Sequence, residues 1–149
     1  MDGAPPSGES NPYGFLLSRP RGLALVIDDD MHMTSLVEVL LQDANFDVTI
    51  AHRGQEALNL MGLQSDAFGD PLVPDLIVLD YEMPDMTGYE VLSRVRQADH
   101  TRKVPVIMLT ATNKNINEMV QQDLDAFLKK PFDNKTFIDA IVKVLSRKT

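Results

Sequence analysis

The sequence contains no cysteine in its 149 residues. Disulfide bonds and thiolate metal sites are therefore excluded, and a reducing compartment such as the cytoplasm is compatible with the composition. No apolar run approaches the roughly 20 residues that a membrane-spanning helix needs, and the first residues lack the basic and then apolar pattern of a signal peptide. We therefore expect a soluble, cytoplasmic protein without a membrane segment.

Positive charge is also scarce. The 14 lysines and arginines are outnumbered by 22 acidic residues, which gives a formal net charge of −8, and they form no basic run. Because the phosphates of nucleic acid attract clustered positive charge, this balance argues against direct binding to nucleic acid. With 44% hydrophobic residues, the chain has enough apolar material for one ordinary domain with a sizeable core.

The first 21 residues differ in composition from the rest of the chain. They are rich in proline, glycine and serine and show no hydrophobic period, so we interpret residues 1–21 as a disordered arm. A short apolar group in this arm, which gives an alternative, comprises Tyr13, Phe15, Leu16 and Leu17. In that alternative the group docks on the domain or on a partner. Residues 22–148 are assigned to one domain.

Short apolar runs that end abruptly in polar residues recur along this domain. They are residues 23–27 before Asp28, Asp29 and Asp30, residues 76–79 before Asp80, residues 104–109 before Thr110, and residues 126–128 before Lys129 and Lys130. Such runs are typical of strands buried on both faces, as in parallel sheets covered by helices. Ligands of open α/β sheets bind outside the carboxyl ends of the strands, so the polar residues are predicted to form one cluster.

Apolar residues at helical spacing separate these runs. Helices are predicted from about 33 to 45, from 54 to 61, from 88 to about 98, weakly from 113 to 122, and after a cap at Asp133 or Asn134. With a further short strand at 48–50, five strands alternate with five helices, which implies a parallel sheet with helices on both sides. Residues 63–74 form an unusually long connection, which we interpret as a surface insertion away from the cluster.

The acidic residues of the predicted cluster indicate a cation site. Asp28, Asp29 and Asp80 each follow a predicted buried strand. Carboxylates that lie close together repel each other when ionised, and hard oxygen ligands of this kind suit Mg²⁺.

Four motifs resemble the receiver domain of bacterial two-component response regulators, in particular the chemotaxis-type single-domain regulators. They are the acidic pair after the first strand, the pattern D-x-x-M-P-x-M-x-G from Asp80 to Gly88, Thr110–Ala111 after the fourth strand, and Lys130–Pro131 after the fifth. The resemblance covers roughly residues 22–148. It implies a flavodoxin-like doubly wound sheet of five parallel strands in the order 2-1-3-4-5.

The resemblance also implies a phosphorylation site. Asp80 corresponds to the phosphoacceptor, which receives a phosphoryl group from a histidine kinase, a histidine phosphotransfer protein or a small acyl phosphate. The family's Mg²⁺ ligands correspond to Asp28, Asp29, Asp80 and the main-chain carbonyl of Glu82. Asp30 lies outside this set and is interpreted as the cap of the following helix.

Three further residues correspond to parts of the family's switch. Lys130, whose bond to the following proline is cis in the family, corresponds to the lysine that contacts the phosphoryl oxygens. Thr110 corresponds to a hydroxyl that moves toward the phosphoryl group, and Phe127 to an aromatic ring that turns inward as the hydroxyl leaves. A simple core position is the alternative for Phe127, and Lys129 is expected to face solvent.

One segment departs from the family pattern, and one pair of residues occupies positions whose effect the family pattern does not predict. Asp123–Leu124 stands where the family often has Gly-Ala, so the geometry of that loop is not predicted. Glu82 and Thr112 occupy positions that tune the lifetime of the phosphoryl group in the family. The resemblance does not predict which lifetime this particular pair gives.

The leading hypothesis is therefore a phosphoacceptor response regulator that switches binding to a downstream protein. It has no enzymatic activity beyond its own phosphorylation and dephosphorylation. One alternative is a receiver from a larger regulator or a hybrid kinase. Two others come from different classes: a haloacid-dehalogenase-like phosphatase, which also uses a strand-end aspartate and Mg²⁺, and a constitutive binding module that is never phosphorylated.

Overall fold

The predicted apolar runs form the strands of one parallel sheet. The structure is a computed structural model that describes residues 12–64, 69–112 and 116–148. Its strands are β1 Gly22–Ile27, β2 Phe46–Ala51, β3 Leu76–Asp80, β4 Val106–Thr110 and β5 Ala126–Lys129. They pair in parallel in the order β2-β1-β3-β4-β5, which confirms the predicted flavodoxin-like sheet.

Helices connect the strands. They are α1 Pro12–Leu17, α2 Met31–Asp43, α3 Gly54–Leu60, α4 Gly88–Gln97, α5 Ile116–Gln121 and α6 Asn134–Lys148. The last five match the predicted helices, although residues 113–115 of the fourth prediction lie outside the described residues. Within the described ranges, no helix is long and apolar enough to cross a membrane.

Successive strand residues point into two apolar layers. In β1, Ala24 and Val26 belong to the layer that contains residues of α1, α2 and α6, whereas Leu25 and Ile27 belong to the layer with α3, α4 and α5. Because both faces are covered, every residue of β3 and β4 is buried. This two-sided burial explains why the sequence shows continuous apolar runs rather than an alternating pattern.

Residues 12–21 correct the prediction of a disordered arm. Leu16 of α1 is 1% exposed and packs in the layer that contains α6. The Asn45 side chain donates hydrogen bonds to the carbonyl oxygens of Leu16 at 3.2 Å and Arg19 at 2.8 Å. The structure thus supports the alternative of docking on the domain for Tyr13, Phe15 and Leu16, whereas Leu17 is exposed. Residues 1–11 lie outside the described residues.

The long connection at 63–74 leads into the amino end of β3, at the opposite end of that strand from the acidic cluster. Gly62, just before it, ends α3 with a φ of +68°, a conformation that favours glycine. Leu63 is buried, and its carbonyl accepts a hydrogen bond from Arg94 of α4. This part of the insertion is therefore anchored to the domain, and residues 65–68 lie outside the described ranges.

The turn before β5 contains the departure from the family pattern. Asp123 has a φ of +59°, a region that L side chains adopt infrequently. Arg96 of α4 fixes the turn, because its guanidinium donates to the Asp123 carbonyl at 2.9 and 3.1 Å and to the buried carboxylate of Asp125 at 3.0 Å. Hydrogen bonds from a distant helix thus hold a conformation for which glycine would be the usual residue.

We expect Leu16→Ala to lower the free energy of unfolding by about 2 kcal/mol, because truncating a buried leucine removes apolar contacts and leaves a cavity. Leu17→Ala is the matched control, since Leu17 is 61% exposed. It should change the free energy by less than about 0.5 kcal/mol. Urea denaturation measures both values, and equal stability of the two variants would show that α1 does not hold to the domain.

Candidate functional site

The polar residues that end the strands meet at one edge of the sheet. Ile27 of β1 pairs in register with Leu79 of β3, so Asp28, directly after β1, lies beside Asp80, the last residue of β3. In the same way, Thr110 of β4 is in register with the end of β5, next to Lys130. The predicted cluster is therefore formed by the parallel pairing itself.

Three carboxylates lie close together at this edge. One side-chain oxygen from each of Asp28, Asp29 and Asp80 lies within 4.8 Å of the other two. Asp28 and Asp80 are buried, at 0% and 2% exposure, whereas Asp29 is exposed. Because an exposed carboxylate lies beside two buried ones, a cation can reach the cluster from solvent.

Lys130 lies against the two buried carboxylates. Its Nζ is 3.0 Å from Asp80 Oδ1 and 3.5 Å from Asp28 Oδ2. The peptide bond from Lys130 to Pro131 is cis, as the family resemblance implies, and Lys129 is exposed to solvent as expected. One ammonium therefore faces two carboxylates, and a third lies beside them.

Burial shifts the pKa values of Asp80 and Lys130. Removal from water is the largest effect and raises the pKa of Asp80 to about 7. The hydrogen bond from Lys130 acts to lower this pKa, and the negative charge of Asp28 acts to raise it further. Burial acts to lower the pKa of Lys130, but the hydrogen bond and charge of Asp80 outweigh it and raise that pKa overall. The oxygen-only donor set and its excess of negative charge fit a hard divalent cation such as Mg²⁺.

Asp30, the third residue of the acidic run, is a helix cap. Its Oδ1 accepts hydrogen bonds from the backbone N–H groups of His32 at 2.9 Å and Met33 at 3.2 Å, at the start of α2. These hydrogen bonds lower the pKa of Asp30 below its usual value, and the bond from Met33 has the largest effect. The prediction that Asp30 caps the helix is confirmed.

Thr110 and Phe127 lie on neighbouring strands but in different surroundings. Thr110 is fully buried, and its hydroxyl donates to the Thr112 carbonyl at 2.8 Å and lies 3.2 Å from Glu82 Oε2. Phe127 of β5 is 40% exposed. The alternative that Phe127 is a core residue is therefore wrong, because its ring lies at the surface.

Asp85 holds the loop at 81–87, and the sequence analysis missed this role. Its carboxylate accepts hydrogen bonds from the backbone N–H groups of Gly54 at 3.1 Å and Gln55 at 2.8 Å, in the first turn of α3. A signal was present in the sequence: Arg53 stands at the cap position of α3, where its side chain makes no capping hydrogen bond. Asp85 supplies that cap from the loop that follows Asp80.

Comparison with known proteins gives one family. The response regulator receiver domain family matches residues 24–142. The transcriptional regulatory protein CpxR of Escherichia coli K12 is 36% identical over 125 residues, which cover 83% of this chain and 49% of CpxR. The two-component response regulator ARR17 of Arabidopsis thaliana is 34% identical over 113 residues, covering 72% of this chain and 74% of ARR17. The chain thus spans about half the length of CpxR.

The fold also has a solved counterpart. The chemotaxis response regulator CheY4 of Vibrio cholerae matches with a TM-score of 0.67 and 29% sequence identity. The match covers 85% of this chain and 98% of CheY4.

We expect the metal-free protein to lose stability as pH rises toward neutrality. The folded-state pKa of Asp80, about 7, lies above the ordinary value of 3.8, so between these values the folded protein binds more protons than the unfolded chain. The free energy of unfolding therefore falls as pH increases through this window. Urea midpoints in EDTA, from about pH 5 to about pH 8, should fall more steeply for the parent than for Asp80→Asn.

Asp99→Asn, at an exposed position, is the control and should follow the parent curve. Parallel curves for the parent and Asp80→Asn would contradict the raised pKa of Asp80.

Proposed function

Because the chain belongs to the response regulator receiver domain family, we propose that it is a phosphoacceptor switch in a two-component phosphorelay. The observation that carries the proposal is the surroundings of Asp80. This carboxylate ends a buried strand, with Lys130 Nζ at 3.0 Å and two further carboxylates beside it. The family is one of signalling phosphoacceptor domains, so we expect no catalytic turnover of an external substrate.

In the proposed reaction, Asp80 is the nucleophile. A carboxylate oxygen of Asp80 attacks the phosphorus of a phosphohistidine, on a histidine kinase or a phosphotransfer protein, or of a small acyl phosphate. The new oxygen–phosphorus bond forms as the bond to the imidazole nitrogen or the acyl oxygen breaks, and the leaving group departs with the electron pair. The product is an aspartyl phosphate.

The surrounding residues would position and neutralise the phosphoryl group. The ammonium of Lys130 is already beside Asp80 and offers a point charge to the phosphoryl oxygens. Asp28, Asp29, Asp80 and the main-chain carbonyl of Glu82 would hold Mg²⁺. When bound, this ion supplies charge neutralisation and orientation of the transferred group.

Thr110 and Phe127 are the proposed switch. The Thr110 hydroxyl would move toward a phosphoryl oxygen, and the exposed ring of Phe127 would turn into the space that it leaves. The surface around β5 would thereby change and alter binding to a downstream protein. We expect that partner to be a protein rather than nucleic acid, because the chain carries a net charge of −8.

The family assignment favours this function over the two alternatives from other classes. A phosphatase would turn over a phosphate ester, whereas the proposed switch is labelled once. A constitutive binding module would be indifferent to a phosphodonor.

We expect acetyl phosphate with Mg²⁺ to add one phosphoryl group to the protein, and Asp80→Asn to abolish the addition, because an amide is a poor nucleophile. Intact-protein mass spectrometry measures the added mass. Asp99→Asn is the control and should be labelled like the parent. Persistent labelling of Asp80→Asn would place the acceptor elsewhere.

We also expect Mg²⁺ to raise the melting temperature. An ion that binds only the folded state stabilises it by RT ln(1 + [L]/Kd), about 2.7 kcal/mol at a concentration 100-fold above Kd. Asp29→Asn should remove most of this rise, because it deletes one of the clustered carboxylates. It should change the melting temperature little in EDTA, since Asp29 is exposed.

Thermal scans of the parent, Asp29→Asn and Asp99→Asn in EDTA and in excess Mg²⁺ measure both effects. If the parent shows no Mg²⁺-dependent rise, the three carboxylates do not form a metal site.

A further inference from the structure

The Glu82 carboxylate bridges from the end of β3 to the end of β4. Its Oε2 accepts a hydrogen bond from the Thr110 hydroxyl at 3.2 Å, and its Oε1 accepts one from the Ala111 backbone N–H at 3.4 Å. Glu82 follows Asp80 by two residues, and Asp80 is in register with Leu109, directly before this donor pair. The donors and Asp80 therefore lie side by side at the same edge of the sheet.

A carboxylate and a phosphoryl group accept hydrogen bonds from the same kinds of donor. Both carry negatively charged oxygens, and a hydroxyl beside a backbone N–H is a donor pair that can bind two such oxygens. A phosphoryl group on Asp80 would lie next to this pair. Glu82 therefore occupies the donors that an anion on the neighbouring strand would use.

We propose that Glu82 is an internal competitor of the phosphoryl group. In the unphosphorylated domain its carboxylate holds Thr110 and Ala111, and it releases both donors when Asp80 is phosphorylated. This inference rests on the proposed function of Asp80. It makes Glu82 a positioning residue that sets how readily the phosphorylated conformation forms.

The geometry indicates a weak competitor. Both hydrogen bonds are long, and Glu82 is exposed to solvent. The Thr110 hydroxyl also shares its single proton with the Thr112 carbonyl, at 2.8 Å. Removing the carboxylate should therefore change phosphoryl-analogue binding several-fold rather than by orders of magnitude.

Charge repulsion between Glu82 and the phosphoryl group would weaken binding of a phosphoryl analogue, as competition for donors would. A double-mutant cycle separates the two, because competition for the Thr110 hydroxyl needs that hydroxyl and charge repulsion does not. The variants are Glu82→Ala, Thr110→Ala and the double variant. Glu90→Gln, which removes an exposed charge from the first turn of α4, is the matched control for net charge.

The probe is beryllium fluoride, an anionic analogue of the phosphoryl group, titrated in the presence of excess Mg²⁺. We expect Glu82→Ala to tighten its apparent Kd by about 3- to 10-fold, equivalent to about 0.7–1.4 kcal/mol. Glu90→Gln should stay within about twofold of the parent, an amount typical of an exposed surface charge. In the Thr110→Ala background the gain from Glu82→Ala should shrink markedly, since one of the two contested donors is gone.

A second readout uses the protein without the probe. The Ala111 amide proton should move upfield in the NMR spectrum of Glu82→Ala, because its acceptor is lost. The Mg²⁺-dependent rise in melting temperature should persist, because the substitution leaves the main-chain carbonyl of Glu82 in place.

An equal gain from Glu82→Ala with and without the Thr110 hydroxyl would overturn the inference, because the competition that it describes includes that hydroxyl. An unchanged Kd in Glu82→Ala, with normal binding by the parent, would also overturn it. Failure of the parent and all variants to bind the probe would instead overturn the proposed function of Asp80, and the inference with it.

Discussion

The contact between Lys130 and two buried carboxylates is the constraint on which the rest of the site depends. Asp28 and Asp80 are removed from water, which is unfavourable for ionised groups unless an opposite charge is close. Lys130 supplies that charge only because β1, β3 and β5 deliver their carboxyl ends to one edge. One ammonium does not balance three acids, so the pocket keeps an excess of negative charge that a cation would balance.

The loop after Asp80 is held by contacts with α3 and α4, whereas the hydroxyl of Thr110 lies between two hydrogen-bond acceptors. A Cβ at Gly88 would lie 2.6 Å from the Asp80 carbonyl oxygen, so α4 begins in direct contact with the end of β3. Asp85 ties the same loop to α3 through two hydrogen bonds. The hydroxyl of Thr110 instead has two acceptors within reach, Glu82 and Thr112, at the start of the β4–α5 connection. In the proposed function, a phosphoacceptor held in place by its loop would thus lie beside a hydroxyl donor that has two acceptors.

The sequence predicted the central strands β3 and β4 well because burial on both faces leaves a continuous apolar run. It also placed the clustered acids at strand ends. The strand order came from family resemblance, since periodicity carries no information about which strands are neighbours. The contacts that leave no local pattern join distant parts of the chain: α1 docks through buried Leu16 and hydrogen bonds from Asn45. Asp85 caps a helix about 30 residues away, and Arg96 holds the turn at Asp123. Single contacts of this kind leave no period to detect.

The need to satisfy buried donors limits how the proposed switch can work. Thr110 is fully buried, and a buried hydroxyl without an acceptor is unfavourable by about 1–3 kcal/mol. An acceptor must therefore be present before phosphorylation as well as after it, and Glu82 and Thr112 provide it in the structure. Phosphorylation would then exchange one acceptor for another instead of adding a bond. The hydrogen bonds of the two states would then largely cancel, so their free-energy difference would stay small and one covalent group would be enough to reverse the balance.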